Sequence, residues 1–87
     1  MEIEIYLDTE EAAQEDHLQI RKRIMEWYNE GAEIRYDKAC FGRMTELDKP
    51  FSYRVDLGSV DPIDAVRDLH ARIYRFGAKA YIYFVPL

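Results

Sequence analysis

The order in which hydrophobic patterns change along the chain is the strongest constraint on its fold. Residues 1–7 and 51–57 alternate between apolar and polar side chains, and so do residues 80–85. Alternation predicts strands with one buried face. The segments 8–29 and 61–77 repeat apolar residues every three or four positions, which predicts two helices between the strands.

The second predicted helix has the clearest boundary signals in the chain. Asp61 is suited to cap the helix start, Pro62 to occupy its first position, and Asp64 to complement the helix dipole in the first turn. Gly77 predicts the end of this helix. The side chains expected to face inward are Ile63, Val66, Leu69, His70, Ile73 and Phe76.

The first predicted helix begins soon after the first strand. Asp8 followed by Glu11 matches a capping box, and the helical spacing continues to about Asn29. Gly31 is then placed where a left-handed C-terminal cap favours glycine. The side chains expected to face inward are Ala13, His17, Ile20, Ile24, Trp27 and Tyr28.

Residues 32–44 are predicted to form the second strand. The phase of the alternation changes within this segment, which predicts a β-bulge near Asp37 and Lys38. A polar turn over residues 45–50 would then lead into the strand at 51–57, so that the two strands form a hairpin.

The order β-α-β-β-α-β with right-handed crossovers predicts an α+β, ferredoxin-like sandwich, in which four antiparallel strands in the order 4-1-3-2 carry both helices on one face. Eighty-seven residues, 48% of them hydrophobic, are expected to form one domain, residues 1–87. The alternative is a sheet in which the hairpin or the last strand is exchanged between two chains. The side chains expected beneath the helices are Ile3, Ile5, Leu7, Ile34, Tyr53, Val55, Leu57, Ala80, Ile82 and Phe84.

The other face of this sheet is expected to be uncovered. Tyr6, Tyr81 and Tyr83 should cluster there because the first and last strands are neighbours, and with Arg54 they are suited to binding another protein. The alternative is that these tyrosines only shield one another and the sheet backbone. Stacking of single-stranded RNA is disfavoured, because the third strand lacks the basic-glycine-aromatic pattern of RNA-recognition modules. Other side chains expected on this face are Glu2, Glu4, Glu33, Arg35, Ser52, Asp56 and Val85.

Acidic residues are concentrated at the start of the sequence. The net charge of −5 arises from 17 acidic and 12 basic residues, and residues 1–16 contain seven of the acids and none of the bases. This charge disfavours direct binding of nucleic acid, whereas an acidic edge would steer encounter with a basic protein. The alternative is that these acids complement a helix dipole and keep the chain in solution. The seven predicted partner-binding acids are Glu2, Glu4, Asp8, Glu10, Glu11, Glu15 and Asp16.

Residue types that carry chemistry are few and widely separated. His17, His70 and Cys40 lack the short paired spacing of zinc ligands, so no metal or other cofactor is predicted, and the histidines are expected at the boundary of the core. The lone Cys40 predicts a buried thiol in a reducing cytoplasm. No membrane segment is predicted, since no apolar run approaches the about 20 residues that cross a bilayer. Without a nucleophile elbow or a phosphate-binding loop, a non-catalytic protein is expected.

Together these features predict a protein-binding inhibitor that covers a basic nucleic-acid-binding surface with its acidic edge. Small phage or mobile-element proteins of anti-CRISPR or immunity type are the class with this general character. One alternative is a homodimeric structural or regulatory module that pairs its open sheet faces. Another is a small enzyme whose site is completed between two chains.

Overall fold

The computed structural model describes residues 1–33, 36 and 39–86. Within them, four strands form one antiparallel sheet, and two helices connect the strands. The strands are β1 (Glu2–Asp8), β2 (Met44–Glu46), β3 (Ser52–Asp56) and β4 (Lys79–Phe84), and the helices are α1 (His17–Ala32) and α2 (Pro62–Ile73). Short 3-10 turns, Gln14–Asp16 and Tyr74–Phe76, precede α1 and follow α2.

The strand order β2-β3-β1-β4 is the predicted order 4-1-3-2 read from the opposite edge. The central strand β1 pairs antiparallel with β3 on one side and with β4 on the other. The α+β sandwich predicted from the sequence is therefore confirmed. It departs from a regular ferredoxin-like sheet at β2, which has only three residues.

The core lies between the sheet and the two helices. Ile3 and Ile5 of β1 are fully buried, as alternation predicts, and pack in one cluster with Ile24 of α1 and Leu69 of α2. Trp27 of α1 is also fully buried, and its Nε1–H donates a hydrogen bond to the backbone oxygen of Ala65 at 2.9 Å. Both helices therefore pack on the same face of the sheet and contact each other there.

The predicted start and end signals of α2 are confirmed. Asp61 caps the helix by accepting a hydrogen bond from the backbone N–H of Ile63 at 2.9 Å, and Pro62 occupies the first helical position. Gly77, which ends the following 3-10 turn, has a left-handed φ of 81°.

The predicted inward stripe of α2 is wrong at Ile63 and His70, which are exposed. The fully buried positions are Ala65, Leu69 and Ile73. Because the Trp27 indole reaches the Ala65 carbonyl, α2 turns its small residue toward α1, and the larger Ile63 faces away.

The predicted start of α1 at Asp8 is also wrong. Asp8 still belongs to β1, where it is paired with Lys79, and its carboxylate accepts a hydrogen bond from the N–H of Glu10 in a turn. The helix begins only at His17, and Ala13, expected on its buried face, is exposed. Pairing of β1 with β4 thus outweighs the local capping-box pattern.

Gly31 lies inside α1 and is buried, so the predicted left-handed cap at this position is wrong. Its carbonyl accepts the backbone N–H of Phe41 at 2.7 Å. A Cβ on residue 31 would lie only 2.0 Å from the Phe41 ring. Gly31 is therefore required by close packing of the following connection.

The predicted second strand at 32–44 is wrong over the residues that the structure describes, because β2 comprises Met44–Glu46 instead. Within the connection, Tyr36 and Ala39 form an isolated antiparallel bridge, with the N–H of Ala39 donating to the Tyr36 oxygen at 2.9 Å. The predicted bulge at Asp37 and Lys38 lies outside the described residues, as do Ile34 and Arg35. The predicted turn is shifted as well, since residues 45 and 46 pair with β3.

Two further predictions of burial, for Ser52 and Cys40, are wrong, and so is the predicted strand at Glu33. Ser52, expected on the open face, is buried beside the β2–β3 turn, where its hydroxyl donates to the Pro50 oxygen. Glu33, expected on a strand, follows α1, and its N–H donates to the Asn29 oxygen. Cys40, expected to be buried, is exposed, because Phe41 fills the core instead.

Candidate protein-binding surfaces

The uncovered face of the sheet holds the predicted tyrosine cluster, which comprises Tyr6, Tyr81 and Tyr83. Tyr6 is paired directly with Tyr81 across β1 and β4. Its ring also meets the ring of Tyr83 edge to face, with centroids 5.5 Å apart. Tyr81 and Tyr83 are about half exposed. The cluster therefore presents two large amphipathic side chains on a rigid sheet.

Glu4 and Arg54 form a polar network beside this cluster. The Arg54 guanidinium donates to Oε2 of Glu4 at 2.6 Å, and the Tyr6 hydroxyl donates to Oε1 at 2.9 Å. The hydrogen bond from Arg54, followed by that from Tyr6, lowers the pKa of Glu4. The bond to Glu4, together with partial burial, raises the pKa of Tyr6. Glu4 and Arg54 thus neutralise each other and hold the Tyr6 ring in place.

The seven acids of the first 16 residues do not form one patch. Glu2 lies at the opposite end of β1 from Asp8, about 20 Å away at 3.3 Å per residue. Glu4 is paired with Arg54. The remaining five lie from the last residue of β1 to the residue before α1, and we call them the acidic connection: Asp8, Glu10, Glu11, Glu15 and Asp16.

Only two acids of the acidic connection are close enough to α1 to complement its dipole. Glu15 and Asp16 directly precede α1, whereas Asp8, Glu10 and Glu11 lie before the 3-10 turn and outside any helix. Acids close to a helix N-terminus are stabilising within the first turn only. The dipole therefore leaves the three acids nearest β1 unexplained.

Lys79 joins the acidic connection to the tyrosine cluster. It is paired with Asp8 across β1 and β4, and its ammonium group lies 3.9 Å from the Glu11 carboxylate. Tyr81 follows on the same face of β4, about 7 Å further along the strand. Asp8 and Glu11 of the acidic connection therefore lie beside Tyr81 at one end of the sheet, and Tyr83 follows about 7 Å further along β4.

A second surface, absent from the sequence predictions, runs along the outer edge of β4. Phe84 was expected beneath the helices but is 63% exposed, and Ile63 of α2 is 66% exposed. Between them lies an apolar groove of about 450 Å³, which Val66, Ala80 and Ile82 also line. The signal was available in the sequence, because the order 4-1-3-2 already places β4 at an edge where its inward residues are covered on one side only.

The residues considered for chemistry are dispersed. His17 packs edge to face on Phe51 with centroids 5.4 Å apart, and His70 stacks on Tyr74 at 5.8 Å. Over residues 1–33, 36 and 39–86, no group of three or more His, Cys, Asp or Glu side chains is placed to hold a metal ion. In the same residues, neither helix has the length and apolar character needed to cross a membrane.

Comparison of the chain with protein-family models and with curated proteins found no match. The surfaces of the folded chain are therefore the basis on which its function is inferred.

Proposed function

We propose that this chain is a non-catalytic cytoplasmic protein that binds, and thereby blocks, a basic nucleic-acid-binding surface of another protein. The observation that carries the proposal is that Asp8 and Glu11 of the acidic connection lie beside Tyr81, with Tyr83 two residues further along β4. Carboxylates accelerate encounter with a basic surface, and tyrosines anchor the complex once it forms. The sequence-based assignment to the anti-CRISPR-like or immunity-like class remains a prediction within this proposal.

Two of the seven acids, Glu2 and Glu4, are left out of the proposed binding surface. Glu4 is engaged with Arg54 and Tyr6, so its charge is compensated within the chain. Glu2 is remote from the acidic connection. We assign partner binding to the acidic connection with Tyr81 and Tyr83, and a positioning role to Glu4 and Arg54.

Charge reversal with a matched control tests this assignment. Glu10→Lys/Glu11→Lys alters the acidic connection, whereas Glu33→Lys/Glu46→Lys makes the same charge change at other exposed positions. The immobilised chain and both variants are exposed to nuclease-treated lysate of the source cell, and bound proteins are identified by mass spectrometry over a salt series. The proposal expects a basic partner that the first variant loses and the second retains.

Two further results follow for a partner identified in this way. Its affinity should fall steeply with salt, since screening shortens the range of charge attraction to about 8 Å at physiological ionic strength. Its binding of labelled nucleic acid should decrease as the chain is added. Salt-independent capture, or equal capture by both double variants, would refute the acidic connection as the binding surface.

A further inference from the structure

The outer edge of β4 exposes a row of backbone hydrogen-bonding groups. The N–H of Val85 donates to the Glu2 oxygen at 3.0 Å, so this residue points its backbone toward β1. In an antiparallel strand the direction alternates from residue to residue. Ala80, Ile82 and Phe84 therefore point their N–H and C=O groups away from the sheet, where an added strand could pair with them.

The features that protect edge strands from pairing are weak in β4. The other edge strand, β2, has only three residues, whereas β4 has six and contains neither proline nor a bulge. Lys79 lies at one end of β4, and Pro86 follows the other end. Four residues along the edge are large, apolar and at least half exposed, namely Ile63, Tyr81, Tyr83 and Phe84.

We propose that a second copy of this chain pairs with β4, so that two antiparallel β4 strands join the sheets of two chains around a twofold axis. With Ile82 opposite its own copy, Ala80 falls opposite Phe84 and Tyr81 opposite Tyr83. Small residues then meet large ones on the helix side, and tyrosines meet on the open side. About six backbone hydrogen bonds would form, since three residues on each strand point outward.

Charge is complementary in this register. Lys79 falls opposite Val85 of the second copy, and Val85 neighbours Glu2 within its own sheet. Lys79 and Glu2 of the second copy would lie on the same open face, two strand spacings or about 10 Å apart at the backbone. Their side chains together cover that span, and the twofold axis repeats the pair.

The available apolar area fits a reversible dimer. On the helix side of the edge, exposed fractions of 66% for Ile63 and 63% for Phe84 correspond to roughly 260 Å² per chain, at about 200 Å² for each large side chain. The walls of the apolar groove add to this area. Standard interfaces bury about 800 Å² per partner, and weaker ones bury less. Arg67, which also lines the groove, would approach its own copy across the axis and limit the affinity.

Sedimentation equilibrium from about 10 µM to about 1 mM, a range that spans weak dimers, tests the pairing. The apparent mass should rise from one chain mass toward two. Phe84→Glu should weaken the dimer at least about tenfold, whereas Leu18→Glu, at an equally exposed position on α1, should leave it unchanged. Arg67→Leu should strengthen it by relieving like-charge repulsion.

Amide hydrogen exchange identifies the interface directly and does not depend on any variant. The amides of Ala80, Ile82 and Phe84 should become protected as protein concentration rises, while those of Tyr81 and Tyr83, which face β1, should not change.

Ala80→Pro should abolish the dimer without removing a hydrogen bond within the sheet, because this N–H points outward. A monomer at the highest concentration, or a dimer that leaves the three outward amides unprotected, would overturn the proposal.

Discussion

Replacement of Gly31 by alanine should destabilise the protein, although the same change in an ordinary helix stabilises it. Alanine is favoured over glycine by about 1 kcal/mol in a helix interior. Here the new Cβ would lie 2.0, 2.2 and 2.7 Å from three atoms of the Phe41 ring. These distances are far below van der Waals contact, so the ring must leave its position.

The free-energy cost of displacing the Phe41 ring depends on the contacts that the ring and its backbone make. The ring is buried against Trp27, with centroids 4.8 Å apart, and the Phe41 N–H is bonded to the Gly31 oxygen at 2.7 Å. Overpacking of a core or loss of a buried phenylalanine costs about 2 to 3 kcal/mol. After subtraction of the helix gain, Gly31→Ala should lower the free energy of unfolding by about 1 to 2 kcal/mol.

Urea unfolding followed by the fluorescence of the single tryptophan measures this change. Asn29→Ala, at an exposed position near the same helix end, should instead be slightly stabilising. In a Phe41→Ala background, Gly31→Ala should stabilise, because the obstructing ring is absent. If Gly31→Ala alone stabilises the protein by the ordinary helix amount, the packing argument is refuted.

Three further predictions concern the core, a cap and the open face. Trp27→Phe removes the only tryptophan, so its unfolding in urea is followed by far-UV circular dichroism; it should lower the free energy of unfolding by about 2 to 3 kcal/mol, since it removes the bond to Ala65 and leaves a cavity. Asp61→Ala should cost about 1 kcal/mol by the same assay, through loss of the cap of α2. Because the hydrogen bond from Arg54 holds the folded pKa of Glu4 below its ordinary value of 4.5, the stabilisation by Arg54 is present above that value and lost as pH falls through the folded pKa. Wild type should therefore lose more stability than Glu4→Gln between about pH 7 and about pH 3.

The sequence was most informative where local chemistry and tertiary packing agree. Asp61 and Pro62 mark the start of α2 because a capping carboxylate and a fixed proline φ act within one turn. Strands β1 and β3 follow from alternation because one face of each is buried under the helices. The strand order could then be predicted from the right-handed crossover rule.

Sequence reasoning failed where distant partners decide the local structure. The capping-box pattern at Asp8 was outweighed by pairing of this residue with Lys79, 71 positions later in the chain. Gly31 suggested a helix end, yet its role is to admit the Phe41 ring. The alternation after residue 32 suggested a strand, although Phe41 in that segment packs on Trp27 as part of the core.

As with the fold, only part of the candidate surfaces could be predicted from the sequence. The tyrosine cluster follows from alternation and strand order, both of which are local or topological. The separation of Glu4 from the acidic connection could not be predicted from local patterns, because Glu4 is neutralised by Arg54, a residue 50 positions away. Exposure of Phe84 also depends on how α2 is rotated, which Trp27 and Ala65 decide.

The two proposed surfaces share Tyr81 and Tyr83 but differ in the atoms that they require. Pairing along β4 uses outward backbone groups and the Phe84 side chain, whereas partner binding uses the tyrosine rings on the open face and the acidic connection. A joined sheet would leave the open face uncovered and place two tyrosine clusters side by side, so a dimer could engage two basic surfaces or one extended surface. Two variants therefore separate the proposals. If Phe84→Glu is monomeric but still captures the basic partner, partner binding does not depend on the dimer. If Glu10→Lys/Glu11→Lys loses capture but still dimerises, pairing along β4 does not depend on the acidic connection.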